Sequence, residues 1–205
     1  MYTLHVDGVS KRFGFRKVLS GINFELHTGE SMAIVGPNGS GKTTLLMMLL
    51  GCLRQTSGNI SFLQEGDPLN REQIRRRSSL VSPYLNLYDN LTAEENLKFF
   101  ATVSGGSITG KEVDSSLARL GLEGRGMDPV SQYSSGMKQR LKYAVALSGD
   151  PDFLFLDEPT SNLDDDGKQI VADIVESCRS DRIIVIATNE QEDCRLVGRQ
   201  CRLDQ

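Results

Sequence analysis

The stretch GPNGSGKTT, from Gly36 to Thr44, lies between two apolar segments and constrains the fold more than any other feature. The segment before it, SMAIV, is a short apolar run of the kind found in buried strands, and TTLLMMLLGCL overlaps its end and continues with helix formers. The stretch matches the pattern G-x-x-x-x-G-K-[ST] at Gly36, Gly41, Lys42 and Thr43. The sequence therefore predicts a strand, a glycine-rich loop and a helix in immediate succession.

This loop is suited to binding a phosphate chain. Phosphate is bound there by backbone N–H groups that point inward, and glycine permits both the close approach and the unusual dihedral angles. The following helix adds the positive end of its dipole. Lys42 can then reach the β- and γ-phosphates, and the Thr43 hydroxyl can bind Mg²⁺. The alternative is a chance match in a structural turn, and the flanking strand and helix argue against it.

A second candidate is the stretch FLFLDEP, which predicts a buried strand with two acids at its carboxyl end. In open α/β sheets ligands bind at that end. Asp157 is placed to hold Mg²⁺ through water, and Glu158 is placed to polarise an attacking water. The alternative is a pair of acids that opens a turn before Pro159, but the glycine loop upstream favours the functional interpretation.

The remaining patterns predict an α/β chain. LHVDGVSKRF alternates like a strand, INFEL reads as a second strand, and RIIVIAT reads as another buried strand. Helices are expected in LTAEENLKFF, where Thr92 and Glu95 form a capping box, over residues 111–123, in KQRLKYAVALSG after Met137 and in DDDGKQIVADIVESC. Buried strands that alternate with helices indicate a mostly parallel sheet.

Composition excludes several classes. A net charge of −4 and a pI of about 5.3 do not indicate a basic surface that would bind nucleic acid. The basic run Arg71–Arg77 is interpreted as a solvated helix face. The N-terminus has no signal-peptide pattern, and the longest apolar run, Leu45–Leu50, is too short to span a bilayer. The four cysteines form no CxxC pair and are expected to be reduced thiols of a cytosolic protein, at Cys52, Cys178, Cys194 and Cys201.

Taken in order along the chain, the motifs resemble those of the nucleotide-binding subunits of ABC transporters. YSSGMKQRL, from Tyr133 to Leu141, resembles the LSGGQ signature region, and TSNLD, from Thr160 to Asp164, resembles the D-loop. KRFG places Phe13 where the family stacks an aromatic ring on adenine. LYDNLTAEENL is similar to the family sequence that opens the helical lobe. The resemblance covers essentially the whole chain.

The resemblance implies a P-loop NTPase core with a mostly parallel sheet, a small N-terminal antiparallel β part and an inserted helical subdomain. Residues 1–205 would form a single ABC ATPase domain, with 1–84 and 131–205 as the core lobe and about 85–130 as the helical lobe. The implied catalytic residues are Glu158, Asn189 and Lys42, and the implied Mg²⁺ ligands are Thr43 and Asp157. The implied ATP-binding residues are Phe13, Gly36, Pro37, Asn38, Gly39, Ser40, Gly41, Lys42, Thr43, Thr44, Ser134, Ser135, Gly136 and Asp164.

The resemblance also implies partners and a location. Each ATP would lie between the glycine loop of one subunit and the signature of another, in a homodimer or in a heterodimer with a second ABC ATPase subunit. ATP would close the dimer because it contacts both halves. The dimer would drive a transmembrane permease subunit, so the chain is expected on the cytoplasmic, inner face of the membrane with no nucleic-acid partner. The short chain resembles compact exporter subunits, including the haem-exporter type of cytochrome c maturation, which favours export.

Three elements depart from the family pattern: the signature, the segment after the last core strand and the loop before the helical lobe. The signature has Ser135 and Met137 where the family has glycine and glutamine. Asn189 stands where the family has its switch histidine, and asparagine can donate a hydrogen bond but cannot titrate. The family's glutamine before the helical lobe falls on Pro83; Gln64 and Gln73 are too far upstream, and Asn86 is the candidate substitute. These departures predict a slow ATPase or one half of an unequal pair.

Other nucleotide-binding classes fit less well. A GTPase needs an Asn-Lys-x-Asp motif, which TNEQED does not supply, and a small-molecule kinase would not explain YSSGMKQRL. Soluble ABC ATPases that act on DNA or ribosomes generally carry a coiled-coil insertion or two cassettes. A non-catalytic ATP-binding subunit is favoured by Asn189 and opposed by Glu158.

Overall fold

The structure, a computed structural model, describes residues 1–203. The strands are β1 Tyr2–Phe13, β2 Arg16–His27, β3 Ser31–Val35, β4 Ser57–Gln64, β5 Asp67–Pro68, β6 Ser78–Val81, β7 Phe153–Asp157, β8 Ile183–Thr188 and β9 Arg199–Arg202. The α-helices are α1 Lys42–Leu49, α2 Arg71–Arg77, α3 Ala93–Val103, α4 Gly110–Arg119, α5 Ser135–Leu147 and α6 Asp165–Cys178. Short 3₁₀ helices cover Val130–Gln132 and Asp193–Leu196.

A parallel sheet of five strands, in the order β6-β7-β8-β3-β9, forms the centre of the fold. Strands β7 and β8 are buried at every residue, which explains why their sequences are continuous apolar runs rather than alternating ones. The register pairs Val35 with Thr188, and Asp157 with Ala187. The carboxyl ends of β3, β7 and β8 therefore lie side by side, and the segments that follow them meet at one edge of the sheet.

A smaller antiparallel sheet in the order β2-β1-β4-β5 packs against this core. Its inward face carries the fully buried side chains of Leu4, Val6, Leu26 and Phe62, which share one apolar cluster with Phe153 and Phe155 of β7. The expected mixed fold, with a parallel sheet and a small antiparallel part, is confirmed.

Helix α3 begins as the sequence predicts, with a capping box at Thr92, and α4 begins with a capping box at Thr109 that was not predicted. The helix predicted for 111–123 spans Gly110–Arg119 instead; Gly121, just beyond its end, has a left-handed φ of 64°. The helix predicted after Met137 starts earlier, at Ser135, since the Ser134 hydroxyl accepts a hydrogen bond from the Met137 N–H at 3.2 Å. Arg71–Arg77 is a helix with no buried residue, as expected for a solvated face.

Across residues 1–203, every helix is too short or too polar to cross a lipid bilayer. The four cysteines are all free thiols, and only Cys178 is buried.

Candidate nucleotide-binding site

The glycine loop connects the end of β3 to the start of α1, and two of its glycines are required by geometry. Gly41 precedes the first residue of α1 with a φ of 100°, and a Cβ there would lie 2.9 Å from the side chains of Leu19 and Val18. A Cβ on Gly36 would lie 2.6 Å from the Ser40 Oγ. The loop therefore keeps its curvature only with glycine at these two positions.

The loop has the polar groups that a phosphate chain requires. The first N–H groups of α1 have no carbonyl partner within the helix, as at any helix N-terminus, and they face the loop. The Ser40 Oγ is buried and has no hydrogen-bond partner among residues 1–203. A buried hydroxyl without a partner is costly, and a phosphate oxygen in the loop would satisfy it. The loop therefore fits a phosphate chain in its local chemistry as well as in its sequence.

Lys42 lies with its ammonium inside this loop. Its Nζ donates to the Gly36 carbonyl at 2.8 Å and to the Pro37 carbonyl at 3.3 Å, and the side chain is only 6% exposed. The same Nζ lies 3.5 Å from the Glu158 Oε1. The positive charge is thus held between the phosphate loop and the acid that follows β7.

Thr43 and Asp157 form the candidate Mg²⁺ pair. The Thr43 hydroxyl donates to the Asp157 carboxylate, with oxygen–oxygen distances of 2.9 and 3.2 Å. Burial raises the pKa of Asp157, although Thr43, Lys42 and Ser82 partly oppose that effect. A hydroxyl and a carboxylate are the hard oxygen donors that Mg²⁺ prefers, and a site of this kind is completed by substrate phosphates and water.

Glu158 has an unusual backbone that orients its side chain. Its φ is 48°, a left-handed value that is uncommon outside glycine, and its N–H donates to the Ala187 carbonyl at 2.8 Å. The Glu158 Oε2 lies 3.4 Å from both the Asn189 N–H nitrogen and the Thr188 hydroxyl. Such backbone conformations occur at functional sites because the surrounding structure must hold them in place.

Asn189 lies directly after β8, where the sequence placed it. Its Nδ2 donates to the Asn38 Oδ1 at 3.3 Å, so this exposed amide joins the segment after β8 to the glycine loop. The contact can be made by any side-chain donor of suitable length, which is consistent with an asparagine at this position.

A buried carboxylate behind Glu158 was not predicted from the sequence. Asp193 is 1% exposed and accepts a 2.7 Å hydrogen bond from the Thr160 hydroxyl and a 2.6 Å bond from the Thr188 hydroxyl. Burial raises the pKa of Asp193, and the charges of Glu158 and Glu190 add to that effect. This carboxylate ties the segment after β7 to the end of β8, and the only sequence signal was an acid four residues after Asn189.

An open cleft of about 660 Å³ contains Lys42, Thr43, Asp157 and Glu158, whereas Asn189 and Asp193 are not among its described lining residues. Its lining residues are Phe13, Arg16, Val18, Asn38, Gly39, Gly41, Lys42, Thr43, Thr44, Pro83, Tyr84, Asp157 and Glu158. Phe13 is half exposed, at 51%, so part of its ring is open to stacking against a planar ligand. Arg16 and Val18 were not predicted as site residues, although alternation along β2 places both on one face of the strand.

In the loop after β6, Asn86 was the candidate substitute for the family's glutamine, whose position is taken by Pro83. Pro83 and Tyr84 line the cleft, whereas the candidate substitute Asn86 is exposed and is not one of the described lining residues. Gln73 is engaged elsewhere, because its Oε1 accepts a hydrogen bond from the Asn70 N–H at 2.8 Å.

The signature and D-loop residues do not reach this cleft within the described chain. Ser134 and Ser135 are exposed at the start of α5, with Gly136 beside them. Asp164 is also exposed, and its Oδ1 accepts a hydrogen bond from the Gly167 N–H at 2.9 Å as the N-cap of α6. Of the residues proposed for ATP binding, Phe13 and most of the glycine loop line the cleft, whereas Gly36, Pro37 and Ser40 belong to the loop without lining it, and the signature residues and Asp164 lie outside.

Comparison with known proteins is consistent with this geometry. The family model described as ABC transporter matches residues 19–161. The chain is 36% identical over 186 residues to the lantibiotic transport ATP-binding protein SrtF of Streptococcus pyogenes, covering 91% of this chain and 79% of that protein. It is 37% identical over 201 residues to the Nod factor export ATP-binding protein I of Burkholderia lata, covering 96% of this chain and 66% of that protein.

A solved structure extends the comparison to the fold. The dimeric structure of an ATP-binding cassette in a post-hydrolysis state, with ADP and Pi bound, superposes with a TM-score of 0.84 at 25% identity, covering 98% of this chain and 94% of that one. The family match covers well over half of the sequence and includes the glycine loop, the signature and the acids after β7. The chain therefore belongs to the ABC transporter family and is an ATP-binding, ATP-hydrolysing subunit of that family.

Proposed function

We propose that this chain pairs around two ATP molecules and that the closure drives export through a membrane-spanning partner. The observation that carries the proposal is the separation of two half-sites on one chain. The cleft holds Lys42, Thr43, Asp157 and Glu158, while Ser134 and Ser135 lie exposed outside it. The second half-site is therefore available to the nucleotide of another subunit, which a face-to-face pair would bring to it.

In each cleft the chain would bind the nucleotide from base to γ-phosphate. Phe13 would stack on adenine, and the backbone N–H groups of residues 38–44 with the Lys42 ammonium would bind the phosphates. Thr43 and Asp157 would hold Mg²⁺, which supplies charge neutralisation at the phosphates when it is bound. Lys42 would exchange its contacts with backbone carbonyls and Glu158 for contacts with phosphate oxygens.

Glu158 is the proposed acceptor for the proton of the attacking water. Its carboxylate lies at the carboxyl end of β7 within the cleft, and the left-handed backbone fixes its direction. Asn189 would donate a hydrogen bond from its amide to the γ-phosphate, since its Nδ2 already reaches Asn38 in the glycine loop. Across the interface, Ser134 and the amides at the start of α5 would cap the same phosphate with the positive end of a helix.

The proposed direction of transport and the proposed location rest on relatives. One relative is named for lantibiotic transport and another for Nod factor export, which favours export. A chain that pairs with a permease would lie at the inner face of the cell membrane. The segment Ser82–Tyr88 is our candidate contact for that partner, because Tyr84 is 75% exposed, Tyr88 is 49% exposed, and Tyr84 also lines the ATP cleft.

Asn189 supports a second candidate, a slow ATPase that forms one half of an unequal pair. The two candidates differ in whether the chain pairs with itself. The test is the mass of Glu158→Gln in solution with Mg-ATP and with Mg-ADP, measured by light scattering. A dimer that forms with Mg-ATP only, and that Ser135→Arg abolishes, supports the proposal. A chain that binds Mg-ATP and stays monomeric at every concentration overturns self-pairing and favours the unequal pair.

A further inference from the structure

Two lysines on one face of α5 hold the two ends of the segment that follows β6. The Lys142 Nζ donates to the Ser82 carbonyl at 3.1 Å and to the Pro83 carbonyl at 3.0 Å. The Lys138 Nζ, one helical turn earlier, lies 2.7 Å from the Asp89 Oδ1. We call residues 82–89 the cleft loop and these two lysines the clasp.

The Lys142 contact is costly to make. Its side chain is partly buried, and that burial lowers the pKa of the ammonium group. Among the described residues its salt-bridge distance to any carboxylate exceeds 4.0 Å, so its charge is met by two carbonyl dipoles. Lysine also loses considerable rotamer entropy when fixed. A leucine or methionine would fill the same space without those costs, so helix packing alone does not explain this residue.

The cleft loop touches the nucleotide site directly. Pro83 and Tyr84 line the cleft beside Lys42 and Thr43. The Ser82 hydroxyl faces Asp157, the candidate Mg²⁺ ligand. A displacement of the Ser82 or Pro83 backbone would therefore shift the surroundings of Asp157 and the wall of the cleft.

The other end of α5 carries the signature. Ser134 caps the helix, and Ser135 and Gly136 form its first turn. The rise of an α-helix places Lys138 about 5 Å and Lys142 about 11 Å along the axis from Ser135. A helix of this length transmits a displacement as a rigid body, so the clasp joins the signature to the cleft loop through one element.

We propose that Lys138 and Lys142 couple the chain's own ATP cleft to its exposed signature. Nucleotide bound in the cleft then changes the backbone conformation of Ser134–Met137. The inference rests on the proposed use of the signature by a second subunit, but its test needs one chain only.

The test is amide hydrogen exchange on the full chain at a concentration where light scattering shows a monomer, with and without Mg-ATP. In the wild type we expect nucleotide to slow exchange in the glycine loop, in residues 82–89 and in residues 134–137. In Lys142→Met the glycine loop should still respond, while the response at 134–137 should fall at least about five-fold. Lys142→Arg should restore most of it.

Lys138 and Asp89 allow a second test that needs no buried substitution. Lys138→Glu and Asp89→Lys should each reduce the response at 134–137, and the double exchange of charges should restore it. Lys98→Met is the matched control, because Lys98 pairs with Glu94 on the surface of α3 and not with the cleft loop.

Each outcome has one interpretation. A signature that responds equally in the wild type, in Lys142→Met and in the single charge reversals overturns the coupling. So does a wild type in which the glycine loop responds and residues 134–137 do not. If the glycine loop itself fails to respond to Mg-ATP, the proposed nucleotide site fails first and the coupling fails with it.

Discussion

The Lys42 Nζ lies 3.5 Å from the Glu158 Oε1, so the cation of the phosphate loop and the proposed catalytic base are paired across the cleft. The two residues are 116 positions apart and meet because β3 and β7 each lie next to β8 in the same sheet. A phosphate chain in the loop would compete with Glu158 for the ammonium. Binding of ATP would therefore release the carboxylate for contact with water.

Phe13 is expected to contribute to nucleotide affinity by stacking. Stacking of a base on an aromatic ring is worth about 1–3 kcal/mol, and Phe13 is half exposed, so Phe13→Ala should weaken Mg-ATP binding by at least about five-fold. Phe13→Tyr should bind nearly as well as the wild type. The matched control is Phe15→Ala, because Phe15 is fully exposed and does not line the described part of the cleft. Equal losses in both alanine variants, measured by calorimetry, would contradict the stacking role.

Asn189 is expected to limit turnover. Asn189→His would keep a hydrogen-bond donor near Asn38 and add a group that titrates near pH 6.5, so we expect turnover to rise at least about three-fold. The pH–rate profile should gain an ionisation in that range. Gln191→His, two residues away and also exposed, is the control. If Asn189→His has wild-type turnover in the assembled transporter, position 189 does not limit the rate.

Asp193 is expected to stabilise the fold as well as the site. Asp193→Ala leaves the buried Thr160 hydroxyl without its acceptor and the Thr188 hydroxyl with only its 3.4 Å contact to Glu158, which should lower the free energy of unfolding by about 1–3 kcal/mol. Glu192→Ala removes an exposed carboxylate that pairs with Lys168 and should change it by less than about 0.5 kcal/mol. Urea unfolding measures both, and comparable effects would show that the buried network is not important.

The same carboxylate gives a pH dependence of known sign. Burial raises the pKa of Asp193 above its unfolded value of about 3.9, so the folded state holds the proton to higher pH. The contribution of Asp193 to stability is therefore fully present below the unfolded pKa and is lost as pH rises through the raised folded pKa. Compared with Asp193→Asn, the wild type should lose stability as pH rises from about 4, and the difference should then level off. A difference that does not change with pH would show that Asp193 is not desolvated.

Short-range sequence patterns were enough to predict much of the fold. The glycine loop, the runs FLFLD and RIIVIAT, and the capping box at Thr92 lie on the predicted elements because each depends on local backbone chemistry. Strands β4 and β9 were not predicted. SGNISFLQ and RQCR mix polar and apolar residues, and these strands form because β1 and β3 offer them a pairing edge.

The site was predictable where a motif fixes it and not where tertiary contacts build it. The contact of Lys42 with Glu158 follows from the sheet order, which the sequence does not specify uniquely. Little in the sequence indicates that Asp193 is buried, because an acid in a polar segment usually faces solvent. The Lys142 clasp depends on the path of the cleft loop beneath α5, which no local pattern indicates.

The most direct measurement is Mg-ATP hydrolysis by the purified chain and by Glu158→Gln, with nucleotide binding measured in parallel. We expect Glu158→Gln to lower turnover at least about 100-fold, as loss of a general base does, while Mg-ATP binds as tightly as to the wild type or more tightly. Tighter binding follows because the competing carboxylate no longer holds Lys42. Turnover in Glu158→Gln equal to that of the wild type, with ATP bound by both, would contradict the assignment of Glu158 and with it the proposed mechanism.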